Sequence, residues 1–272
     1  MKIGNQKFMQ SILQKYNIHP SKLRGQNFLI NKGIAEKIIN AGELSKKDTV
    51  LEIGPGLGVL TEKLLENVKK VIAVEKDKKL YELLKDRFRN IKNLELIDAD
   101  ILSLDTKHYT QNAYKLIANI PYNITGRILR IFLSGDNPPS MIVIMVQHEV
   151  GEKLLGKSRG MLTLLAELYG KAERVCNVSA GSFYPAPKID SMVIKLTLGI
   201  PKLHSEEVLK IAKIGFSQRR KKLLSNLSTG LKLDKKKLRE AFLECGINEN
   251  ARAEELSKSD WLKLAEKFLK YI

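Results

Sequence analysis

The stretch that decides the fold is VLEIGPGLG, residues 50–58. The apolar run over residues 49–53 predicts a buried strand, and the three glycines at alternate positions predict a tight turn. Apolar residues with helical spacing follow over residues 59–67. Glycine adopts positive φ without strain and allows a ligand to approach the backbone, so Gly54 and Gly56 are candidates for ligand contact.

A second apolar strand, residues 71–74, ends in Glu75. An acidic residue at this place can accept hydrogen bonds from both hydroxyls of a ribose. The spacing G-x-G-x-G differs from the dinucleotide pattern G-x-G-x-x-G, and no Gly-Lys-Ser/Thr follows as in a P-loop. A turn without a ligand is the alternative on the glycines alone. With Glu75 added, the pattern favours a nucleoside without a pyrophosphate, and S-adenosylmethionine is the obvious candidate.

Strand and helix patterns alternate over residues 49–146, which predicts an α/β fold with a mostly parallel sheet covered by helices. In such sheets ligands bind at the carboxyl ends of the strands. Asp100 can accept a hydrogen bond from an adenine amine, and the nearby Asp98 is its rival. We therefore expect one binding site at the four strand ends that carry suitable groups: Gly54, Glu75, Asp100 and Asn119.

The segment Asn119-Ile120-Pro121-Tyr122 is the candidate for the chemistry. An adenine N6 amine is a poor nucleophile because its lone pair is delocalised into the ring. The Asn119 amide oxygen and the Ile120 carbonyl can each accept an N6 hydrogen bond, which would aim the lone pair at a methyl group on sulfur. Pro121 would fix the turn and Tyr122 would stack on the base, so that most of the rate comes from positioning. The alternative is a strand-terminating Asn-x-Pro turn.

Two further segments stay open on the residues alone. Residues 25–29, GQNFL, can form a lid over a ligand or an ordinary loop. Residues 183–191, FYPAPKIDS, form a rigid extended loop in which Phe183 is either the second aromatic face around a flipped base or a core phenylalanine.

The charge balance favours a polyanionic partner. The 272 residues contain 47 Lys and Arg against 30 Asp and Glu, a net charge of +17. This excess suits a nucleic acid, and a solvated lysine-rich surface is the alternative. The densest run is Arg219, Arg220, Lys221 and Lys222, which the periodicity of residues 206–272 places on a helix and which suits contacts to phosphates.

Other classes are disfavoured by composition. No apolar run approaches the about 20 residues of a membrane span, and residues 1–20 have no apolar core of a signal peptide. Cys176 and Cys245 match no metal spacing and are expected to be small buried residues in a reducing compartment. The four histidines are scattered along the sequence, so no metal site is predicted. The expected location of the protein is the cytoplasm, which is a reducing compartment.

Together these motifs resemble the ribosomal RNA adenine dimethyltransferases, in the expected order from around Lys22 to the C-terminus. Residues 1–20 lie outside the resemblance. The motifs that carry it are GQNFL at 25–29, E-x-G-x-G-x-G at 52–58, NIPY at 119–122, F-x-P-x-P-K-x-D-S at 183–191 and QRRK at 218–221.

The resemblance implies a Rossmann-like S-adenosylmethionine-dependent methyltransferase domain over residues 21–200 and a small all-α RNA-binding domain over residues 201–272, after an extension of residues 1–20. It implies dimethylation of N6 on two adjacent adenosines near the 3′ end of small-subunit (16S) rRNA, with the immature 30S subunit as partner. A monomer is expected by default. The cofactor contacts carried over from the family are Asn27, Leu29, Gly54, Glu75, Asp100 and Asn119, which prefers Asp100 over Asp98.

Two related activities remain as alternatives. Large-subunit rRNA methyltransferases of the macrolide-resistance type usually have Ser-Gln-Asn-Phe at the lid and lack the full Pro-Lys-x-Asp-Ser loop, so Gly25 and residues 188–191 favour the small-subunit enzymes. A non-catalytic ribosome-assembly factor on the same fold is the other alternative, against which the intact residues 119–122 argue.

Overall fold

The computed structural model describes residues 6–21, 25–110, 113–201 and 203–271. Residues 1–5 of the predicted extension and residues 22–24, at the start of the family resemblance, lie outside the described residues. The chain forms two compact units. The first unit comprises Met1–Gly151 with Glu173–Leu198, and the second unit comprises Glu152–Ala172 with Gly199–Ile272.

A seven-stranded sheet forms the centre of the α/β fold. The strands of the chain are β1 (Phe28–Leu29), β2 (Thr49–Ile53), β3 (Lys70–Glu75), β4 (Leu94–Asp98), β5 (Lys115–Asn119), β6 (Met141–Gln147), β7 (Gly170–Val178), β8 (Phe183–Tyr184) and β9 (Ser191–Leu198). The order across the large sheet is β4-β3-β2-β5-β6-β9-β7, and β1 pairs with β8 in a separate two-stranded sheet. The pairs from β4 to β6 are parallel, and β9 is antiparallel to β6.

Helices connect the strands and then make up the C-terminal part. They are α1 (Gln6–Lys15), α2 (Lys32–Ala41), α3 (Val59–Asn67), α4 (Lys78–Arg87), α5 (Thr125–Ser134), α6 (His148–Leu154), α7 (Met161–Tyr169), α8 (Ser205–Gly215), α9 (Leu223–Leu231), α10 (Lys235–Cys245) and α11 (Lys258–Phe268). No helix among the described residues is long and apolar enough to cross a membrane.

The core of the first unit explains why these segments form strands and amphipathic helices. Ile38 of α2 and Leu64 of α3 belong to one apolar cluster with strand residues such as Val143. Met9 of α1 and Leu84 of α4 belong to another. Burial of one apolar stripe per helix against the sheet stabilises both layers.

The predicted α/β fold class is confirmed. The bounds of β7, the edge strand of the large sheet, differ from those predicted from the sequence pattern. The sequence places a strand at residues 175–178, whereas β7 already begins at Gly170. Most of β7 is exposed or half-buried, so its first residues lack the apolar signal of a central strand. Cys176 in this strand is half-buried rather than buried, whereas Cys245 is buried as expected.

The second unit is helical around Trp261, Phe242 and Leu227. It includes residues 152–172, which the sequence analysis assigns to the methyltransferase domain. The predicted domain boundary at residue 200 remains a prediction. In the structure the chain passes from one compact unit to the other after Gly151, Ala172 and Leu198.

Candidate active site

A cavity of about 400 Å³ lies in the first unit at the carboxyl ends of the central strands. This volume is in the range of small-molecule and cofactor sites. Each of the four predicted strand-end groups lines it. Ten of the sequence-predicted site residues line this cavity, and so does Gly25 of the predicted lid motif; the ten are Asn27, Leu29, Gly54, Gly56, Glu75, Asp100, Asn119, Ile120, Pro121 and Tyr122.

The glycine turn has left-handed backbone at all three glycines. Gly54 has φ +64° and Gly56 has φ +60°, and a Cβ on Gly56 would lie 3.2 Å from the ring of Phe28. At Gly58, with φ +79°, a Cβ would lie 2.8 Å from the ring of Phe88 and 2.9 Å from Nη1 of Arg87. The first two glycines therefore keep the cavity floor open, whereas the third allows α3 and α4 to pack closely.

Glu75 is held by the main chain around it. Its Oε2 accepts a hydrogen bond from the Gly56 N–H at 3.1 Å, and its Oε1 accepts one from the Asp77 N–H at 2.9 Å. Burial raises the pKa of this carboxyl, and the backbone hydrogen bonds oppose that rise. The two bonds fix the carboxylate at the cavity wall, as recognition of a ribose requires.

Glu52 lines the cavity and has no role predicted from the sequence. Its side chain is 1% exposed, and Oε2 accepts a hydrogen bond from Thr61 Oγ1 at 2.7 Å. Burial raises its pKa to about 8, and the negative charge of Glu75 adds to the rise. The signal that would have found it is an acidic residue inside an otherwise apolar strand.

Asp100 and its rival Asp98 differ in placement. Asp100 lines the cavity, whereas Asp98 is exposed and is not among the lining residues. Lys76 Nζ donates to Asp100 Oδ2 at 2.7 Å, and the Leu102 N–H donates to Oδ1 at 3.0 Å. The hydrogen bond from Lys76 is the main reason that the pKa of Asp100 is lowered, so the group stays an ionised acceptor.

The predicted lid, residues 25–29, is hydrogen-bonded to the predicted catalytic segment, residues 119–122. Asn119 Nδ2 donates a hydrogen bond to the carbonyl of Asn27 at 3.3 Å, across 92 positions of the chain. The Asn27 side chain in turn donates to the Gly25 carbonyl at 3.3 Å. Since the Asn119 NH₂ group is engaged in this way, its Oδ1 is left as the acceptor at the end of β5.

The rest of the predicted catalytic segment forms a short turn. Ile120 is buried, and the Pro121 carbonyl accepts a hydrogen bond from the Ile124 N–H at 3.2 Å. Tyr122 is half-buried, and its hydroxyl shares a hydrogen bond with Ser191 Oγ at 2.6 Å. Burial raises the pKa of the Tyr122 phenol, so the hydroxyl is neutral at physiological pH.

Phe183 differs from the other predicted catalytic residues because it does not line the cavity. It is 3% exposed, packs in the same apolar cluster as Leu29 and pairs with Leu29 in the two-stranded sheet. It is not among the residues that line the cavity. A face of its ring is therefore not offered to a base in this structure, and its stacking role stays a prediction.

The basic run, Arg219 to Lys222, lies in the second unit in the loop between α8 and α9, so its predicted helical placement is wrong. Asn226 Nδ2 donates to the carbonyls of Gly215 and Gln218 at 2.6 and 3.1 Å, which stabilises a turn where periodicity alone suggests a helix. All four cations are exposed. Arg219 pairs with Glu254 at 3.5 Å, an exposed contact of small energy.

The residues around the cavity fit S-adenosylmethionine. The buried carboxyl of Glu75 at the end of β3 could accept hydrogen bonds from a ribose, the ionised carboxylate of Asp100 follows the neighbouring strand β4, and the glycine turn leaves the backbone open. Among the described residues, no three His, Cys, Asp or Glu side chains gather as a metal ion would require.

Comparison with known proteins points to the same class. The family model described as ribosomal RNA adenine dimethylase matches residues 21–270. A Dehalococcoides mccartyi protein named ribosomal RNA small subunit methyltransferase A is 40% identical over 263 residues, which cover 94% of this chain and 90% of that protein. An Alkaliphilus oremlandii protein of the same name is 36% identical, with 99% of both chains covered.

Solved structures agree. A dimethyladenosine transferase from Plasmodium falciparum has a TM-score of 0.75 and 30% identity, with 90% of this chain and 98% of that chain covered. The 23S rRNA methyltransferase ErmE has a TM-score of 0.69 and 26% identity, with 89% and 99% covered. The chain therefore belongs to the ribosomal RNA adenine dimethylase family, a family of S-adenosylmethionine-dependent methyltransferases.

Proposed function

We propose that this enzyme transfers four methyl groups from S-adenosylmethionine to the N6 atoms of two adjacent adenosines near the 3′ end of 16S rRNA, during ribosome biogenesis. The name that the two relatives share supports the small subunit as the source of the RNA. The observation that carries the catalytic part is the orientation of Asn119, whose NH₂ group is held by the Asn27 carbonyl.

The chemistry follows from this orientation. With its nitrogen engaged, Asn119 presents Oδ1 to an incoming amine, and an adenine N6–H donates to it. This hydrogen bond draws the N6 lone pair out of conjugation with the ring. The carbonyl of Ile120 is a second acceptor, which takes the other N6 hydrogen in the first transfer to each adenosine, when N6 still carries two hydrogens. Such a site accelerates the reaction by orientation and by fixed dipoles, and it needs no strong general base.

The cofactor side is formed by the groups that line the cavity. Bound S-adenosylmethionine supplies a methyl group on a positively charged sulfur. Glu75 accepts hydrogen bonds from the ribose hydroxyls, and Asp100 accepts one from the adenine amine of the cofactor. The remaining cofactor-binding residues are Asn27 and Leu29 of the lid and Gly54 and Gly56 of the turn, all of which line the cavity.

The RNA side combines stacking with charge. Tyr122 stacks on the target base at the catalytic turn. The four exposed cations at residues 219–222 contact phosphates, which gives affinity without sequence specificity. In this proposal residues 201–272 act as the RNA-binding domain, and residues 21–200 act as the methyltransferase domain. We place the reaction in the cytoplasm, on the immature 30S subunit, with the enzyme as a monomer.

The likeness to ErmE is the observation that favours a second candidate, methylation of large-subunit rRNA. The test is methyl transfer from labelled S-adenosylmethionine to unmethylated small subunits and, in parallel, to large-subunit rRNA. The products are digested and analysed for N6,N6-dimethyladenosine. We expect dimethyladenosine at the 3′ end of the small-subunit RNA, and label only in large-subunit RNA would overturn the proposal.

Two variants test the catalytic assignment in the same assay. Asn119→Ala removes the acceptor and is expected to lower the transfer rate at least about 100-fold, the cost of losing one preorganised polar group at a reacting centre. Asn90→Ala, at an exposed asparagine after α4, is the matched control and should act as the wild type. Full activity of Asn119→Ala would contradict the mechanism. Binding of RNA and cofactor without transfer by the wild type would favour an assembly factor.

A further inference from the structure

The loop between β8 and β9 is built into the site in a way that its sequence motif does not reveal. Its final residue, Ser191, begins β9 and is 0% exposed. Ser191 lies opposite Gln147 in the antiparallel pair of β9 with β6, so the main chain of the large sheet fixes its position. The serine is therefore a rigid point that does not depend on the catalytic turn.

Asp190, the residue before Ser191, makes two hydrogen bonds that fix the position of this part of the chain. The Asp190 carbonyl accepts a hydrogen bond from the His148 N–H at 3.0 Å, at the start of α6. Asp190 Oδ1 accepts one from the Ala180 N–H at 2.9 Å, in the turn before β8. Hydrogen bonds to the main chain on either side thus hold the end of the loop. The side chain of Ser191 then has only its χ1 torsion free.

The χ1 torsion of Ser191 directs its hydroxyl group to the hydroxyl group of Tyr122. The oxygen atoms of the Ser191 and Tyr122 hydroxyl groups are 2.6 Å apart, a short hydrogen bond between two neutral groups. The phenol lies at the cavity wall while its hydroxyl points into the protein, towards a serine that is not among the lining residues. The tyrosine ring is thereby fixed at both ends, by its backbone in the turn and by its hydroxyl at β9.

We infer that Ser191 is a positioning residue that sets the angle of the Tyr122 ring, so that the ring meets the face of the target adenine. Stacking depends on parallel planes, and a ring free to swing about its side-chain torsions would lose part of that contact. The inference rests on the proposed role of Tyr122 in base stacking. Ser191, at the end of the Phe183–Ser191 loop, would thus position the Tyr122 ring, which is a role distinct from the predicted stacking of Phe183 on the base.

The same loop also reaches the cofactor side. Its first residues, Phe183 and Tyr184, pair with Leu29 and Phe28 of the lid strand β1. One segment therefore contacts the lid at its start and the base-stacking tyrosine at its end. This arrangement explains why a rigid, proline-containing loop suits the place, since slack between the two ends would loosen both.

The test is a double-mutant cycle of Ser191→Ala and Tyr122→Phe, with single-turnover transfer to small subunits as the readout. Each variant removes the same hydrogen bond from one side, so each should slow transfer about tenfold, the value of one net hydrogen bond of ordinary strength. The double variant should be no slower than either single variant, because the bond is lost only once. The affinity for S-adenosylmethionine should be unchanged in all three.

The control is Ser182→Ala, at a buried serine of the same region that accepts a hydrogen bond from Asn31 Nδ2 at 3.3 Å. It should leave the transfer rate near that of the wild type. Additive losses in the cycle, or a loss of cofactor affinity equal to the loss of rate, would overturn the inference. If Ser191→Ala does not fold, Tyr122→Phe alone decides, since an unchanged rate there excludes the role. Failure of the proposed function would appear as an inactive wild type.

Discussion

Replacement of Glu52 by glutamine should remove a pH dependence of the stability of the first unit. Glu52 is buried at the cavity, and its pKa is raised to about 8 from an ordinary value of 4.5. The charged neighbours that act on it are Glu75, which raises its pKa, and Arg87, which lowers it. Glutamine has the same shape and keeps an oxygen that accepts the hydrogen bond from Thr61.

The sign follows from the difference between the folded and unfolded states. The folded protein holds the Glu52 proton more tightly than the unfolded chain does, so the stabilising contribution is complete below pH 4.5 and is lost as the pH rises through 8. Between pH 6 and pH 8 the unfolded carboxyl is ionised, whereas the folded one changes from protonated at pH 6 to about half ionised at pH 8. Stability then falls by close to 1.36 kcal/mol per pH unit, or about 2 kcal/mol over the interval.

The assay is urea unfolding at several pH values between 6 and 8, followed by far-UV circular dichroism. Fluorescence is the wrong probe, because the single tryptophan, Trp261, lies in the second unit. From pH 6 to pH 8 the free energy of unfolding of Glu52→Gln should fall by about 2 kcal/mol less than that of the wild type. Glu66→Gln, at an exposed glutamate of α3, is the control and should run parallel to the wild type. Parallel curves for Glu52→Gln and the wild type would refute the argument.

Three further predictions concern packing, cofactor and RNA. Gly58→Ala should lower the free energy of unfolding by about 1–3 kcal/mol in chemical denaturation, because its Cβ would meet a ring and a guanidinium at positive φ, whereas Gly181→Ala, which has open space, should cost little. Asp100→Ala should weaken S-adenosylmethionine binding about tenfold in calorimetry, and Asp98→Ala should not, since only Asp100 lines the cavity. Neutralising residues 219–222 together should lower the affinity for RNA and reduce the slope of log K against log salt by up to about 3, and an unchanged slope would remove them from the RNA-binding surface.

Much of the cavity was predictable because its parts are local. A strand, a glycine turn and a helix follow one another at residues 49–67, and Glu75, Asp100 and Asn119 each end or follow a strand. Alternation of strands and helices forces parallel strands, whose carboxyl ends meet at one edge. Once that alternation is recognised, neighbouring strand ends share a site without any knowledge of packing.

Other features depend on contacts that no local pattern encodes. The basic run lies in a loop because Asn226, several positions further on, binds the carbonyls of Gly215 and Gln218. Phe183 is buried because it pairs with Leu29. The raised pKa of Glu52 depends on complete burial beside a second carboxyl, which its place in a strand only suggests.

The order of residues along the chain was enough for the fold class and for the strand-end residues that line the cavity, since periodicity and strand ends are properties of neighbouring residues. The orientation of the proposed catalytic groups was decided by the tertiary structure. Asn119 is aimed by a carbonyl 92 positions away, and Tyr122 is aimed by a serine 69 positions away. Such hydrogen bonds form only when strand register and helix packing bring distant segments within 3.5 Å, so they belong to the tertiary structure alone.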